Sequence, residues 1–357
     1  MNRINISKPF MGEEEIEAVR NVLLSGNLVQ GVKVKEFEEA VSGFLGIKHA
    51  IATSSGTTAL HLAIESLGIK PGDEVITTPF TFIASSNCIL YNGAKPVFVD
   101  IDPKTFNIDP EKIEEKITDK TKAVLVVHLY GQPCEMDKIM GVCKKHNLKL
   151  IEDSAQAIGA EYKGQKIGTF GDVSALSFYA TKNITTGEGG MLLTNNDVWA
   201  DKTRIRRQHG QRMIYEYEIL GYNYRMTDIQ AAIGIEQMKK IEDLNNKRIE
   251  NAKTLAELLS GIDGIVLPSV APETKHVFHQ YTIRVLDGKR DALKEQLNEK
   301  GIQSMIYYPQ TIYQPGSESC PEAERACKEV LSLPIHPHLK KEDIERIAEE
   351  VKNYLEN

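Results

Sequence analysis

Short runs of aliphatic and β-branched residues alternate with helical patterns through the first half of the chain, and this alternation constrains the fold most. Such runs occupy residues 49–53, 74–78, 96–100, 122–128, 148–152, 173–178 and 190–194. Between the first two, apolar residues recur at helical spacing. Nearly continuous apolar strands joined through helices are typical of a parallel sheet that is covered on both faces. We therefore predict an α/β fold built on a seven-stranded, mostly parallel sheet.

The pattern changes after residue 194. The sequence TDIQ at 227–230 is a capping box, which predicts a helix that continues to about Leu259. Strands are predicted over 279–285 and near 304–308, among further helices. We expect a large domain over 1–244 and a smaller α+β domain over 245–357, with the N-terminal helix packed on the smaller one.

Composition narrows the class of protein. The 357 residues are 41% hydrophobic and 26% charged, with a net charge of -7, which disfavours nucleic acid as the main partner. No apolar run is long enough to span a membrane, and the N-terminus lacks the apolar core of an export signal. Five scattered cysteines without a CxxC pair favour a reducing compartment over a disulfide or zinc framework. We expect a cytoplasmic protein without a metal or membrane partner.

Lys182 lies between the last two predicted strands, in ATKNITTGEGG. Burying an unpaired ammonium group is costly, so a lysine held there tends to lose its proton. A neutral lysine is a nucleophile for aldehydes, as a Schiff base with pyridoxal phosphate (PLP) requires. The competing interpretation is a solvated loop lysine, and only the rest of the chain can decide between the two.

The sequence SSGTT at 54–58 follows the first strand and begins a helix. Free backbone N–H groups at a helix N-terminus bind phosphate, and Gly56 permits a close approach. The alternative is simple capping of the helix by Thr57 or Thr58. Neither GxxxxGK[ST] nor GxGxxG is present, so nucleoside triphosphate and dinucleotide sites lose their main support.

Four further residues lie in or shortly after predicted strands. Asp153 stands at the carboxyl edge of the sheet, where a carboxylate could keep a pyridine nitrogen protonated, and Gln156 could reach a ring substituent. Phe82 could stack on a planar ring, and Ser177 offers a hydroxyl to a phosphate. Taken singly, each has a plainer interpretation: a helix cap for Asp153, a core aromatic for Phe82 and an ordinary strand serine for Ser177.

The segment GYNYRMTDIQAA contains Asn223 and Arg225 among aromatic residues. A short loop with so many hydrogen-bonding groups suggests a binding site or an interface, although a solvated loop explains it equally well.

Together these motifs resemble the DegT/DnrJ/StrS aminotransferases of nucleotide-sugar biosynthesis, which are fold-type I PLP-dependent enzymes. The resemblance covers nearly the whole chain. It is carried by SSGTTALHLA, GDEVITTPFTFIASSN, IEDSAQAIGA, SFYATKNITTGEGGM and GYNYRMTDIQAAIG. It implies a large PLP-binding domain with a smaller C-terminal domain.

The resemblance also implies roles around the ring of the cofactor. Lys182 would form the Schiff base and shuttle a proton between cofactor and substrate carbons. Asp153 would pair with the pyridinium, Gln156 would lie near the ring hydroxyl, and Phe82 would stack on the ring.

Further implied roles concern the cofactor phosphate. The backbone of Gly56 and Thr57 would bind it together with Ser177. Asn223 would reach the phosphate bound by the neighbouring subunit, so the active unit would be a homodimer with shared sites.

For the substrate, the resemblance points to Arg225 and Tyr313. Relatives often have a histidine near the end of the segment that corresponds to 307–314, where this chain has Tyr313.

The reaction implied is transfer of an amino group from glutamate to a keto-sugar on a nucleoside diphosphate, with 4-keto favoured over 3-keto sugars. The sequence does not choose among UDP, dTDP and GDP carriers. One alternative is a PLP-dependent sugar dehydratase, which in relatives accompanies histidine in place of the lysine; Lys182 argues against it. The other is a non-catalytic regulatory protein, which retention of Lys182, Asp153 and Ser177 disfavours.

Overall fold

The computed structural model describes residues 3–313 and 317–356, so the last residue of the 307–314 segment lies outside the described residues. Its fifteen strands, in chain order, are β1 His49–Thr53, β2 Glu74–Thr77, β3 Lys95–Phe98, β4 Thr121–Val127, β5 Lys149–Asp153, β6 Glu161–Tyr162, β7 Gln165–Lys166, β8 Val173–Ser177, β9 Gly190–Thr194, β10 Gln211–Met213, β11 Glu216–Tyr217, β12 Ile265–Val266, β13 Thr274–Lys275, β14 Tyr281–Val285 and β15 Val330–Leu333.

Eleven α-helices accompany the described strands. They are α1 Glu13–Ser25, α2 Val32–Leu45, α3 Gly56–Ser66, α4 Ala84–Tyr91, α5 Met136–His146, α6 Asp197–Arg206, α7 Asp228–Met238, α8 Ile241–Leu259, α9 Arg290–Glu299, α10 Pro321–Glu329 and α11 Lys341–Leu355. None of these helices is both long enough and apolar enough to cross a bilayer, in the part of the chain that is described.

The predicted seven-stranded sheet is confirmed, in the order β1-β9-β8-β5-β4-β2-β3. Only β9 runs antiparallel to its neighbours, β1 and β8, while the other pairs are parallel. Alternate residues of one strand enter different cores: Ala123 and Leu125 pack with α3 and α4, and Val124 and Val126 pack with α5. Because both faces are buried, the strands are apolar throughout, as the sequence pattern indicated.

A second core lies beyond the sheet. It is formed by α8, α9 and α11 around β14 and β15, through residues such as Leu255, Ile283 and Ile347. Ile4 belongs to this core and pairs with Ile302. The helix α1 packs on α7, while Ile4, before α1, joins the second core. The expected packing of the N-terminal helix on the smaller domain stays a prediction. The division of the chain near residue 245 stays a prediction.

The capping box is confirmed, because the Thr227 hydroxyl accepts from the backbone of Gln230 and the Gln230 side chain accepts from the backbone of Thr227. The single long helix predicted from there to Leu259 is wrong, since α7 ends at Met238 and α8 begins at Ile241. At the break, Lys240 donates to the buried carboxylate of Glu15 over 2.8 Å. This contact holds the end of α7 on α1, while α8 continues into the second core.

The strand predicted over 304–308 is also wrong. Only Met305 forms an isolated bridge, to Ser332. The place beside β14 is taken by β15, in which Leu331 and Leu333 are buried and pair with Ile283 and Tyr281. Because β15 pairs with β14, the residues near 308 are not part of that sheet. Tyr308 instead contacts Gln156 and Phe82, at the carboxyl edge of the large sheet.

Candidate active site

The N-terminus of α3 lies against the end of β8. A Cβ atom added at Gly56 would come within 2.8 Å of the Cβ atom of Ser177, so only glycine allows this approach. The helix is capped by Ser55, whose hydroxyl accepts from the N–H of Thr58 over 3.2 Å. The Thr58 hydroxyl in turn accepts from the N–H of Ser55 over 3.0 Å, so the capping expected of Thr58 is present as the second half of a capping box, while Ser55 is the N-cap residue. The N–H groups of Gly56 and Thr57 have no acceptor within the helix, and the Ser177 hydroxyl lies nearby, so these groups could hold an anion.

A second glycine completes this anion site. Gly190 begins β9, opposite Thr53 and Ser177. A Cβ atom at Gly190 would lie 2.2 Å from the carbonyl oxygen of Ser55 and 2.6 Å from the backbone nitrogen of Gly56. The GEGG sequence thus lets β9 press directly on the loop that precedes α3.

Asp153 is buried at the carboxyl end of β5. Its carboxylate accepts from the Ser85 hydroxyl over 2.8 Å and from the backbone N–H of Ala155 over 3.2 Å. Burial raises the pKa of Asp153, while these hydrogen bonds and the nearby Lys182 and His128 oppose the rise. Sequence reasoning missed Ser85, because nothing local to α4 indicates that this hydroxyl faces β5.

Lys182 follows β8 and is half-buried, with its backbone N–H bonded to the carbonyl of Tyr179 over 2.9 Å. Burial lowers the pKa of Lys182 to about 8, and the negative charge of Asp153 opposes this shift. Across residues 3–313 and 317–356, no group hydrogen-bonds to its Nζ atom. A substantial fraction of the amine is therefore neutral and unshared near physiological pH.

Gln156 and Phe82 flank this pair of residues. The Oε1 atom of Gln156 accepts from the N–H of Tyr130 over 2.6 Å, and its Nε2 atom donates to the Tyr308 hydroxyl over 3.2 Å. Phe82 is 56% exposed, and its ring centre lies 6.3 Å from that of Tyr308. An exposed aromatic face is thus available for stacking. Sequence reasoning did not single out Tyr308, since its contact comes from a distant segment.

The segment that contains Asn223 and Arg225 lies beside the phosphate loop, because the N–H of Ser54 donates to the Tyr224 carbonyl over 2.8 Å. Asn223 is exposed and Arg225 is half-buried. The structure therefore brings this segment to the same end of the sheet, with the Asn223 side chain on the surface of the subunit.

Tyr313 is placed differently. Its hydroxyl donates to Glu324 over 3.0 Å and accepts from the backbone N–H of Cys320, and its ring packs on Phe98 with centres 5.9 Å apart. These contacts fix Tyr313 at the start of α10, and none of them involves Lys182 or Asp153.

The arrangement fits PLP, group by group. The N–H groups of Gly56 and Thr57 suit its phosphate, and Asp153 supplies a carboxylate for its pyridine nitrogen. Lys182 supplies the amine for its aldehyde, and the exposed face of Phe82 suits its ring.

Comparison with known proteins agrees with this fit. The model of the DegT/DnrJ/EryC1/StrS aminotransferase family matches residues 9–352. The chain is 44% identical to GDP-perosamine synthase of Caulobacter vibrioides, with 97% of this chain and 96% of that protein aligned. It is 41% identical to the UDP-N-acetyl-3-dehydro-alpha-D-glucosamine 3-aminotransferase of Acidithiobacillus ferrooxidans, over 96% and 94% of the two chains.

Solved structures agree as well. The PLP form of Spr1654 from Streptococcus pneumoniae superposes with a TM-score of 0.94 at 31% identity, over 99% of both chains. The fold is therefore that of the fold-type I enzymes, with PLP as the cofactor. On these grounds, the chain belongs to the DegT/DnrJ/EryC1/StrS aminotransferase family of PLP-dependent enzymes.

Proposed function

We propose that this enzyme transfers the amino group of glutamate to a keto-sugar linked to a nucleoside diphosphate. The observation that carries the proposal is the half-buried amine of Lys182, whose pKa is lowered to about 8 beside the buried carboxyl of Asp153. The relatives at 44% and 41% identity are both named for amino sugars carried on nucleotides, which supports the substrate class.

The residues around Lys182 would hold the cofactor in place. The N–H groups of Gly56 and Thr57, together with the Ser177 hydroxyl, would bind the phosphate, and Phe82 would pack on the ring. Asp153 would accept the N–H of the pyridine and so keep it protonated. When bound, PLP supplies an aldehyde that exchanges amines and a ring that withdraws electrons from the neighbouring carbon. Gln156 contributes its amide near the ring hydroxyl.

Lys182 would then move the proton. Its Nζ atom takes a proton from the α-carbon of glutamate and returns one to the sugar carbon that receives the nitrogen. A pKa near 8 suits both directions, because a general acid–base catalyst works best when its pKa lies near the operating pH. Glutamate leaves as 2-oxoglutarate, whose keto oxygen comes from water, and the keto oxygen of the sugar leaves as water when the amine replaces it.

The same proposal includes a homodimer with shared sites. The hairpin of β10 and β11 exposes large apolar side chains, with Ile214 78%, Tyr215 81% and Leu220 76% accessible. An apolar patch of this kind marks an interaction surface. Asn223 lies close to the patch in the chain and is exposed, as a residue that reaches the phosphate of a partner must be.

We favour a 4-keto over a 3-keto sugar, because the GYNYRM and YYP segments look nearer to 4-keto enzymes. One relative is named as a 3-aminotransferase and another as a GDP-perosamine synthase, at 41% and 38% identity, so the names of the relatives do not choose between the two positions and the assay below must. Arg225 and Tyr313 are the proposed substrate contacts, and Tyr313 would have to make its contact while its hydroxyl is bonded to Glu324 and Cys320.

The experiment is a two-stage assay on the purified protein loaded with PLP. Glutamate is added first, and loss of the visible absorbance band should accompany formation of 2-oxoglutarate in equal amount. Each of several 4-keto and 3-keto sugar nucleotides is then added, and the aminated product is identified by mass spectrometry. Lys182→Ala should abolish both stages, whereas Lys202→Ala, at an exposed lysine, should abolish neither.

Absence of 2-oxoglutarate with wild-type protein would reject glutamate as the donor. Amination only of 3-keto sugars would reject the 4-keto preference. Release of water without amination would favour a sugar dehydratase. Inertness toward every amine and sugar would favour the regulatory alternative.

A further inference from the structure

The residue after Lys182 is the centre of a buried hydrogen-bond network. Asn183 is only 6% exposed, and its amide is fully used. Its Nδ2 atom donates to the Oδ1 atom of Asn245 over 2.7 Å and to the Val277 carbonyl over 3.2 Å, and its Oδ1 atom lies 3.1 Å from the Nδ1 atom of His279. All three partners come from elsewhere in the chain, so these bonds exist only in the folded state.

Asn245 connects this network to α8. It is 2% exposed, and its Nδ2 atom donates to the Ile158 carbonyl over 3.0 Å. Gly159 adopts a φ of +81°, and a Cβ atom there would lie 2.7 Å from the Nδ2 atom of Asn245. The glycine therefore makes room for this amide. Because α8 continues into the second core, Asn245 ties the Lys182 loop to both cores.

His279 completes the network as a neutral donor. Because Asn183 donates with both N–H groups, its Oδ1 atom accepts, so the Nδ1 atom of His279 carries the hydrogen. Burial holds the pKa of His279 well below its usual value, and the nearby Lys182 and Arg248 lower it further. The imidazole therefore stays uncharged over the working pH range, and the bond to Asn183 does not depend on pH.

We infer that Asn183 and Asn245 are positioning residues, which fix the Lys182 loop so that its Nζ atom meets the cofactor aldehyde. The inference rests on the proposed role of Lys182. Among the described residues, the one hydrogen bond that Lys182 itself makes runs from its backbone N–H to the Tyr179 carbonyl, on the N-terminal side. The network around Asn183 restrains the loop on the C-terminal side of Lys182. A displacement of about 1 Å in a catalytic group can lower the rate roughly a hundredfold.

The test compares two asparagines on the same helix. Asn245 and Asn251 both donate to a backbone carbonyl, but Asn251 bonds to His336 and takes no part in the network. Asn245→Ala and Asn251→Ala are stripped of cofactor and titrated with PLP by visible absorbance. After reduction with cyanoborohydride, peptide mass spectrometry gives the fraction of PLP fixed to Lys182. Unfolding temperatures are measured without PLP.

We expect Asn245→Ala to raise the PLP dissociation constant roughly 5- to 30-fold and to lower the fraction fixed to Lys182. Asn251→Ala should change neither, although both variants lose a hydrogen bond and some thermal stability. Asn245→Asp keeps the oxygen that accepts from Asn183 but sets a second acceptor against the Ile158 carbonyl, so it should also weaken fixation. If Asn245→Ala does not fold, Asn183→Ser replaces it and is compared with Asn251→Ala by the same measurements.

The inference is overturned if Asn245→Ala and Asn251→Ala give equal dissociation constants and equal fixation at Lys182, whatever their stabilities. Failure of the proposed role of Lys182 would give a different result, because PLP would then be fixed to another lysine in the wild-type protein. The double variant of Asn183→Ala and Asn245→Ala should lose less than the two single variants' losses combined, since the two residues share the bond between them.

Discussion

At the scale of single residues, Lys182 and Asp153 govern each other's protonation. Burial lowers the pKa of Lys182 to about 8, and the charge of Asp153 opposes this. Only the neutral amine attacks an aldehyde, so the rate at which the apo-protein captures PLP should rise with pH through a midpoint near 8 and level off above it. Asp153→Asn removes the charge that favours the ammonium, so the midpoint should move lower.

The measurement is the rate at which the visible band appears after apo-protein and PLP are mixed, from about two pH units below that midpoint to about two above it. A Lys182 with an ordinary lysine pKa would place the midpoint above pH 10, at roughly 10.4. Such a result, or an upward shift in Asp153→Asn, would contradict the electrostatics described above.

Ser85 offers a second test at this scale. Its hydroxyl donates to Asp153 over 2.8 Å and opposes the rise in the carboxyl pKa. Without that bond, Asp153 holds its proton more readily and holds the pyridine less well. We expect Ser85→Ala to lower kcat roughly 10- to 100-fold, the cost of losing a hydrogen bond to a charged group. Steady-state kinetics measure this loss.

Ser154→Ala is the matched control, because Ser154 is buried next to Asp153 but bonds to the Ser174 hydroxyl over 2.9 Å. It should keep nearly full activity. Equal losses in the two variants would show that burial of a hydroxyl near Asp153, and not the bond itself, is what matters.

Residues differ in how far the sequence reveals them. Lys182 and Asp153 stand in long motifs directly after strands, so their chemistry could be predicted. Ser85 and Asn245 face their partners only after α4 and α8 have packed against the sheet, and the local pattern of those helices contains no sign of it.

At the scale of elements, the contact between β9 and the loop before α3 depends on Gly190. A Cβ atom there would overlap the Ser55 carbonyl at 2.2 Å, and a backbone atom cannot move aside as a side-chain end can. We expect Gly190→Ala to displace the N–H groups of Gly56 and Thr57, and so to weaken PLP binding and lower the unfolding temperature. Equilibrium titration and thermal unfolding measure the two effects.

Gly43→Ala is the comparison. Gly43 lies within α2, and a Cβ atom there meets nothing within 4 Å. The alanine should stabilise the helix by about 0.5–1 kcal/mol and leave PLP binding unchanged. If Gly190→Ala behaved like Gly43→Ala, the close approach of β9 to the phosphate loop would be disproved.

The elements predicted from the sequence succeed and fail for physical reasons. All seven strands of the large sheet were predicted, because a strand that is buried on both faces is apolar at nearly every position and therefore stands out in the sequence. The helix from 228 to 259 was predicted without its break, because the contact of Lys240 with Glu15 joins residues far apart in the chain. The false strand at 304–308 lies beside β15, but only Met305 pairs with it, through the bridge to Ser332.

At the scale of the whole molecule, the phosphate site of one chain is incomplete in the proposed mechanism. Gly56, Thr57 and Ser177 come from the subunit itself, while Asn223 is exposed beside an apolar hairpin. If that hairpin docks on a second copy, each active site combines Lys182 of one subunit with Asn223 of the other. Closed twofold symmetry then gives two such sites in each dimer.

This arrangement can be tested by mixing two damaged subunits. Lys182→Ala removes the amine, and Asn223→Asp places a negative charge at the phosphate, so each homodimer should be nearly inactive. A heterodimer, purified through two different affinity tags, has one site with both defects and one site with neither. Its activity should therefore be about half that of the wild-type dimer.

The control pairs Lys182→Ala with Asp153→Ala. Both residues serve the same site of the same subunit, where the charge of Asp153 acts on Lys182, so neither site of that heterodimer is intact. It should stay inactive. Recovery in the first pair but not in the second requires Asn223 to act across the interface. Equal inactivity of the two pairs would place Asn223 in the site of its own subunit, and the dimer would then bring no catalytic group to its partner.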